Sequence, residues 1–173
     1  MTKSDIKNKL EATIALCRLA ALSADTSLFF TNFNDKWSIG ENLMHLAKSA
    51  KGVNKALVMP KVQLTVFGRP THPSGTYQDV VERYQSVLAN GVRATGGFVA
   101  QYTEGDTLED TLSRFDIQHH TLVTVLDSFS EEDLDAYQLP HPVLGNMTLR
   151  EMFYFMDYHI GHHQKAIDKI ISR

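Results

Sequence analysis

Apolar residues recur along this chain at intervals of three and four, the spacing that gives a helix one buried face. The first such stretch, about 4–24, aligns Ile6, Leu10, Ile14, Cys17 and Ala21. A second, about 39–58, carries Ile39, Leu46, Ala50, Val53 and Leu57, and a third occupies about 77–90. A fourth, about 107–128, runs Leu108, Leu112, Phe115, His119, Leu122 and Leu126, and the last covers about 148–171. Ser38–Glu41, Thr76–Asp79, Thr107–Asp110, Ser130–Asp133 and Thr148–Glu151 each place a hydroxyl three residues before a carboxylate. That pairing satisfies free N–H groups at a helix start. Asn32 to Lys36 reads as a turn, and only Val62–Phe67, followed by Gly68, Pro70 and Pro73, alternates like a strand. The pattern predicts an all-α protein, a four-helix bundle forming one domain over residues 1–173. A long crossover joins its second and third main helices: a Pro/Gly-rich loop about 59–75, the helix about 77–90, and a segment broken by Gly91, Gly96 and Gly97. Segments of this length often cover a site.

The polar exceptions on the apolar faces are histidines. With His159 at zero on a helical wheel, Met152 and Ile170 fall at about 20°, Phe155 at about −40° and His163 at about 40°. Two imidazoles thus centre the inward stripe of the last helix, with Asp157, Gln164 and Asp168 on the opposite side. Buried rings need partners. They are either hydrogen-bonded core residues or, at this i, i+4 spacing, two ligands of one metal. His45 stands at the edge of its helix's stripe among Gly40, Ser49, Gly52 and Ala56, small residues that leave room for a metal or substrate. It is the candidate third ligand. His119 occupies a core position and reads first as a hydrogen-bonded core residue, otherwise as a partner of a metal ligand or a substrate contact. His162 falls about 80° from the centre of the His159/His163 pair, at the bundle rim, where it is a candidate substrate contact or partner of a metal ligand. His72 and His141 lie in loops beside prolines and carry little weight.

The surrounding residues exclude several metal chemistries. Ile160 stands where a zinc peptidase carries its glutamate, and paired Glu-x-x-His motifs of di-iron bundles are absent. A mononuclear site of three neutral imidazoles remains, the arrangement that leaves metal positions open for water or substrate. Zinc is favoured, with nickel, iron and manganese admissible. Glu41, one turn before His45, either caps its helix, orients a ligand or acts as a base.

Composition narrows the partners. A net charge of −3 lacks the basic excess that general nucleic-acid binding requires. The single cysteine, Cys17, excludes an intramolecular disulfide or a CxxC site and reads as a buried thiol. No apolar run approaches membrane-spanning length and no signal peptide is evident, which leads to an expected cytoplasmic location.

The run Trp37-Ser38-Ile39-Gly40-Glu41-Asn42-Leu43-Met44-His45-Leu46 resembles the W-S-x-x-E-x-x-x-H-L opening of a helix in the DinB-like superfamily. The run His141 to Thr148, leading to His159-x-x-x-His163-Gln164, is similar to that group's closing segment, and Tyr77, Tyr84, Leu88, Gly91 and Ala94 to its middle. The resemblance implies an up-down-down-up bundle, commonly a homodimer, whose three histidines bind a divalent metal in a pocket at one end. Relatives include thiol S-transferases using bacillithiol, mycothiol or glutathione, and a thiol-dependent maleylpyruvate isomerase. The expected activity is therefore thiol-dependent S-transfer, or hydrolysis at the same site, on a small-molecule substrate with a low-molecular-weight thiol as co-substrate. The competing reading is a non-catalytic small-molecule-binding bundle whose metal is structural.

Overall fold

Each long helix begins where a hydroxyl and a carboxylate three residues apart close a reciprocal capping box, each such cap being worth about 1 kcal/mol. In the computed structural model, which describes residues 1–33, 36–100 and 105–173, this device starts α1 (Lys3–Ser23) at Thr2/Asp5 and α3 (Ile39–Leu57) at Ser38/Glu41. It starts α4 (Tyr77–Ala89) at Thr76/Asp79 and α5 (Leu108–Leu126) at Thr107/Asp110. It also opens the short α6 (Glu131–Ala136) and the final α7 (Leu149–Ile171). One further helical turn, α2 (Thr26–Phe29), leads into α3. Phe33 and Lys36 pair as an isolated bridge; Asn34 and Asp35, inside the expected turn, lie outside the described residues.

Four helices close a ring in the order α1, α5, α3, α7, each packed on the next, and α4 lies against α7 from outside. The interior is apolar, with Leu10, Leu43, Leu46, Phe115, Leu122 and Phe153 fully buried. This is the all-α bundle that the periodicity predicts.

Two local expectations are corrected. Val62–Phe67 is not a strand but part of a tight 3₁₀ turn, Lys61–Phe67. Its alternate valines, Val62 and Val66, face solvent while Leu64 is buried. A three-residue repeat turns Leu64 and Phe67 inward together, and a strand here would have had no neighbour to pair with. Conversely, His141, expected in a loop, belongs to a hairpin: β1 (Gln138–His141) pairs antiparallel with β2 (Gly145–Thr148). Gln138 Nε2 donates to the Phe67 carbonyl at 2.7 Å and ties the hairpin to the 3₁₀ turn.

The side of α7 expected to be polar is not uniformly exposed. Asp157 is buried, because α1 and α4 cover that side of the helix. Its carboxylate accepts from Thr13 Oγ1 and Tyr77 OH, both at 2.7 Å, with Lys9 Nζ at 3.4 Å. The pairings explain why a charge is tolerated there.

Candidate metal centre

The packing of α3 on α7 brings His45, His159 and His163 together, and each offers one ring nitrogen within 4.8 Å of the others. All three are buried. His159 Nε2 lies 3.1 Å from His45 Nε2 and 3.2 Å from His163 Nε2. The other nitrogens fix where the protons are. His45 Nδ1 lies 2.7 Å from the Phe98 carbonyl, which can only accept, so Nδ1 carries the proton. His163 Nδ1 likewise donates to Asn42 Oδ1 at 2.7 Å, since the Asn42 amide nitrogen donates to the carbonyls of Ser38 and Trp37. In neutral rings the Nε2 atoms of His45 and His163 are therefore bare lone pairs.

His159 has one proton to place. Its Nδ1 is buried without a partner, so a proton there would be orphaned. On Nε2 the proton satisfies one neighbour and leaves the other short contact as lone pair against lone pair. No arrangement of neutral rings pairs every nitrogen. A divalent cation accepted by three Nε2 lone pairs does resolve the cluster, and the donation of Nδ1–H to a carbonyl or amide oxygen is the support such ligands need. The residues present thus fit a metal.

The rings are held in the required charge state. Burial depresses the pKa of His45, while burial and the neighbouring imidazoles hold His159 and His163 well below the usual histidine range. All three are consequently neutral near pH 7, as metal ligation demands. Trp37 packs over the cluster, its ring centroid 4.8 Å from that of His45 and 5.9 Å from that of His163. On the other side Phe155 stacks on His159 at 5.0 Å.

The centre opens into a cavity of about 530 Å³, a size suited to a small organic molecule. Ser49, Gly52 and Ala56, three of the small residues around His45, line it; Gly40 does not. The crossover contributes Arg93, Ala94, Thr95 and Phe98 to the wall. Lys48 Nζ donates to the Val99 carbonyl at 2.7 Å and fastens that segment to α3.

The remaining candidates separate. His162 is half-buried and lines the cavity, its ring 5.3 Å from that of His163. His119 lies in the bundle core, not in the cavity wall, where its Nδ1–H donates to the Phe115 carbonyl at 2.7 Å. Glu41 is committed to the cap: its Oε2 accepts from Ser38 N at 2.7 Å and from Asn32 Nδ2. It does not reach the cavity wall.

One contributor was not apparent from the sequence, and another carried little weight there. Asn42 orients His163, and its only signal was an amide among buried positions, one turn before His45. His141 lines the cavity and packs edge-on to Phe155 at 4.4 Å. Its place at the head of the closing family motif was the available clue.

The sequence profile of the DinB superfamily matches residues 10–167. No match emerged among curated proteins or solved structures. The profile covers most of the bundle and all three clustered histidines, and the chain belongs to the DinB superfamily.

Proposed function

We propose that this protein is a metal-dependent enzyme in which His45, His159 and His163 hold one divalent ion, zinc by preference, and that it catalyses S-transfer from a low-molecular-weight thiol to a small electrophile. The observation that carries the reading is the cluster of Nε2 atoms, short of protons and opening into a cavity large enough for a substrate. A metal there supplies a Lewis acid that lowers the pKa of a thiol or water. The chain's own residues do the rest. Asn42 and the Phe98 carbonyl keep the two outer rings oriented. Trp37 and Phe155 pack on the cluster and restrict bulk water.

The thiol comes from outside the chain. Cys17 is fully buried on α1, is absent from the cavity wall, and has its pKa pushed up to about 12 by burial. Hydrolysis uses the same centre with water in place of the thiol. Homodimerisation belongs to the same proposal, supported by the exposed apolar side chains Leu16 and Leu19 of α1 and Ile117 of α5, which a second copy would cover.

The test is turnover of a panel of electrophiles by metal-loaded protein with glutathione, cysteine or bacillithiol. Thiol-dependent product formation, abolished by His163→Ala, is the expected result. Turnover without thiol identifies the hydrolase. Binding of small molecules without turnover by either route overturns the enzyme reading in favour of a binding protein.

A further inference from the structure

The cavity wall carries an uneven set of polar groups. Among its described residues there is no aspartate or glutamate, although the chain holds 20 acidic residues. The two fully charged residues in the wall are cations, Lys55 on α3 and Arg93 in the crossover. Neither side chain has an ion pair or hydrogen bond to another described residue. Other basic side chains do pair with carboxylates, as Arg18 does with Asp116 and Arg150 with Asp135.

His141 adds a directed donor. Its Nδ1 accepts from the backbone N–H groups of Leu144 at 3.1 Å and Val143 at 3.3 Å. The ring proton is therefore on Nε2, and that N–H has no acceptor among the described residues. The hairpin turn and Phe155 fix the ring in the cavity wall. Burial holds its pKa down at about 4, so the ring is a neutral donor and not a cation near pH 7. Away from the histidine cluster much of the wall is apolar, including Val53, Leu88, Leu139 and Met152.

We propose that the cavity selects an organic anion: a molecule with an apolar body and a carboxylate or comparable acidic group, attracted by Lys55 and Arg93 and hydrogen-bonded by His141 Nε2–H. The proposal takes this cavity as the substrate pocket of the enzyme proposed above. It requires no metal, because none of the three groups is a ligand of the cluster.

The experiment compares two fluorescent probes of similar body, anionic anilinonaphthalene sulfonate and uncharged phenylnaphthylamine, on chelator-treated and metal-loaded protein. The anionic probe is expected to bind about tenfold tighter in both states, the combined effect of two partly solvated cations. Lys55→Gln with Arg93→Gln removes most of that preference and leaves the neutral probe unchanged. His141→Asn, which keeps an acceptor for Val143 and Leu144 but has no Nε2–H, weakens only the anionic probe, by about threefold. Ala56→Phe, which fills the cavity, abolishes binding of both. Equal affinity of the two probes overturns the proposal, as does probe binding that survives Ala56→Phe. A preference that appears only after metal addition also overturns it, while leaving the metal centre standing. Conversely, a protein that takes up no metal yet retains the anion preference fails the metal reading and not this one.

Discussion

Asn42 accepts the Nδ1 proton of His163 at 2.7 Å while its own amide nitrogen is anchored to the carbonyls of Ser38 and Trp37. The cap of α3 thereby sets the orientation of a ring on α7. Replacing Asn42 with Leu frees that ring and leaves Nδ1 without an acceptor. Metal affinity, measured by competition with a chelator, falls about 10- to 100-fold, the usual cost of losing such a support. Unchanged affinity would show that the hydrogen bond does not orient a ligand.

Asp157 tests a different interaction on the same helix. Asp157→Ala strands Thr13 and Tyr77 and removes the partner of Lys9. The expected loss is about 3 kcal/mol in denaturant unfolding, because two hydrogen bonds to a buried carboxylate disappear. Metal stoichiometry remains that of the parent protein. A variant of parental stability would mean that the buried network contributes nothing net.

His119 gives a pH prediction independent of the metal centre. Burial pushes its pKa from 6.5 down to about 4 in the folded chain, and the unfolded chain retains the ordinary value. Between those values the unfolded state binds more protons, so stability rises with pH. The contribution is fully present above about pH 6.5 and is lost as pH falls through about 4. His119→Leu flattens the pH dependence of unfolding in that window by roughly 1 kcal/mol per pH unit. An unchanged slope in urea titrations at a series of pH values would contradict the neutral, buried assignment.

The bundle was legible because its helices announce themselves twice, by apolar spacing and by capping boxes whose paired side chains are adjacent in sequence. His159 and His163 were legible for the same reason, since four residues return a helix to one face. His45 was not fixed by periodicity, because it lies at the edge of its own stripe and becomes central only when α3 meets α7. The hairpin was hidden by strands of four residues with Pro140 inside one of them, held by pairing with each other and with the 3₁₀ turn. His141 was hidden with it, since a wall position depends on that tertiary arrangement. Asp157 misled the helical wheel, which assumes one covered side; α7 is covered by α1, α3 and α4.

Cys17 supplies a further check on the route of the proposed chemistry. A thiol with a pKa near 12 and no exposed surface reacts negligibly with a disulfide reagent in the native state. Labelling is expected only at the rate of unfolding, and Cys17→Ala retains thiol-dependent turnover. Loss of turnover in a folded Cys17→Ala variant would instead make this residue part of the reaction.

The most direct test of the account is the metal stoichiometry of untagged protein, determined by elemental analysis beside single alanine variants of His45, His159 and His163. The expected result is one divalent ion per chain in the parent and a large loss in each variant, with circular dichroism showing that the helices persist. Metal-free parent protein that also fails to take up zinc, nickel, iron or manganese, or variants that keep the full complement, would contradict it.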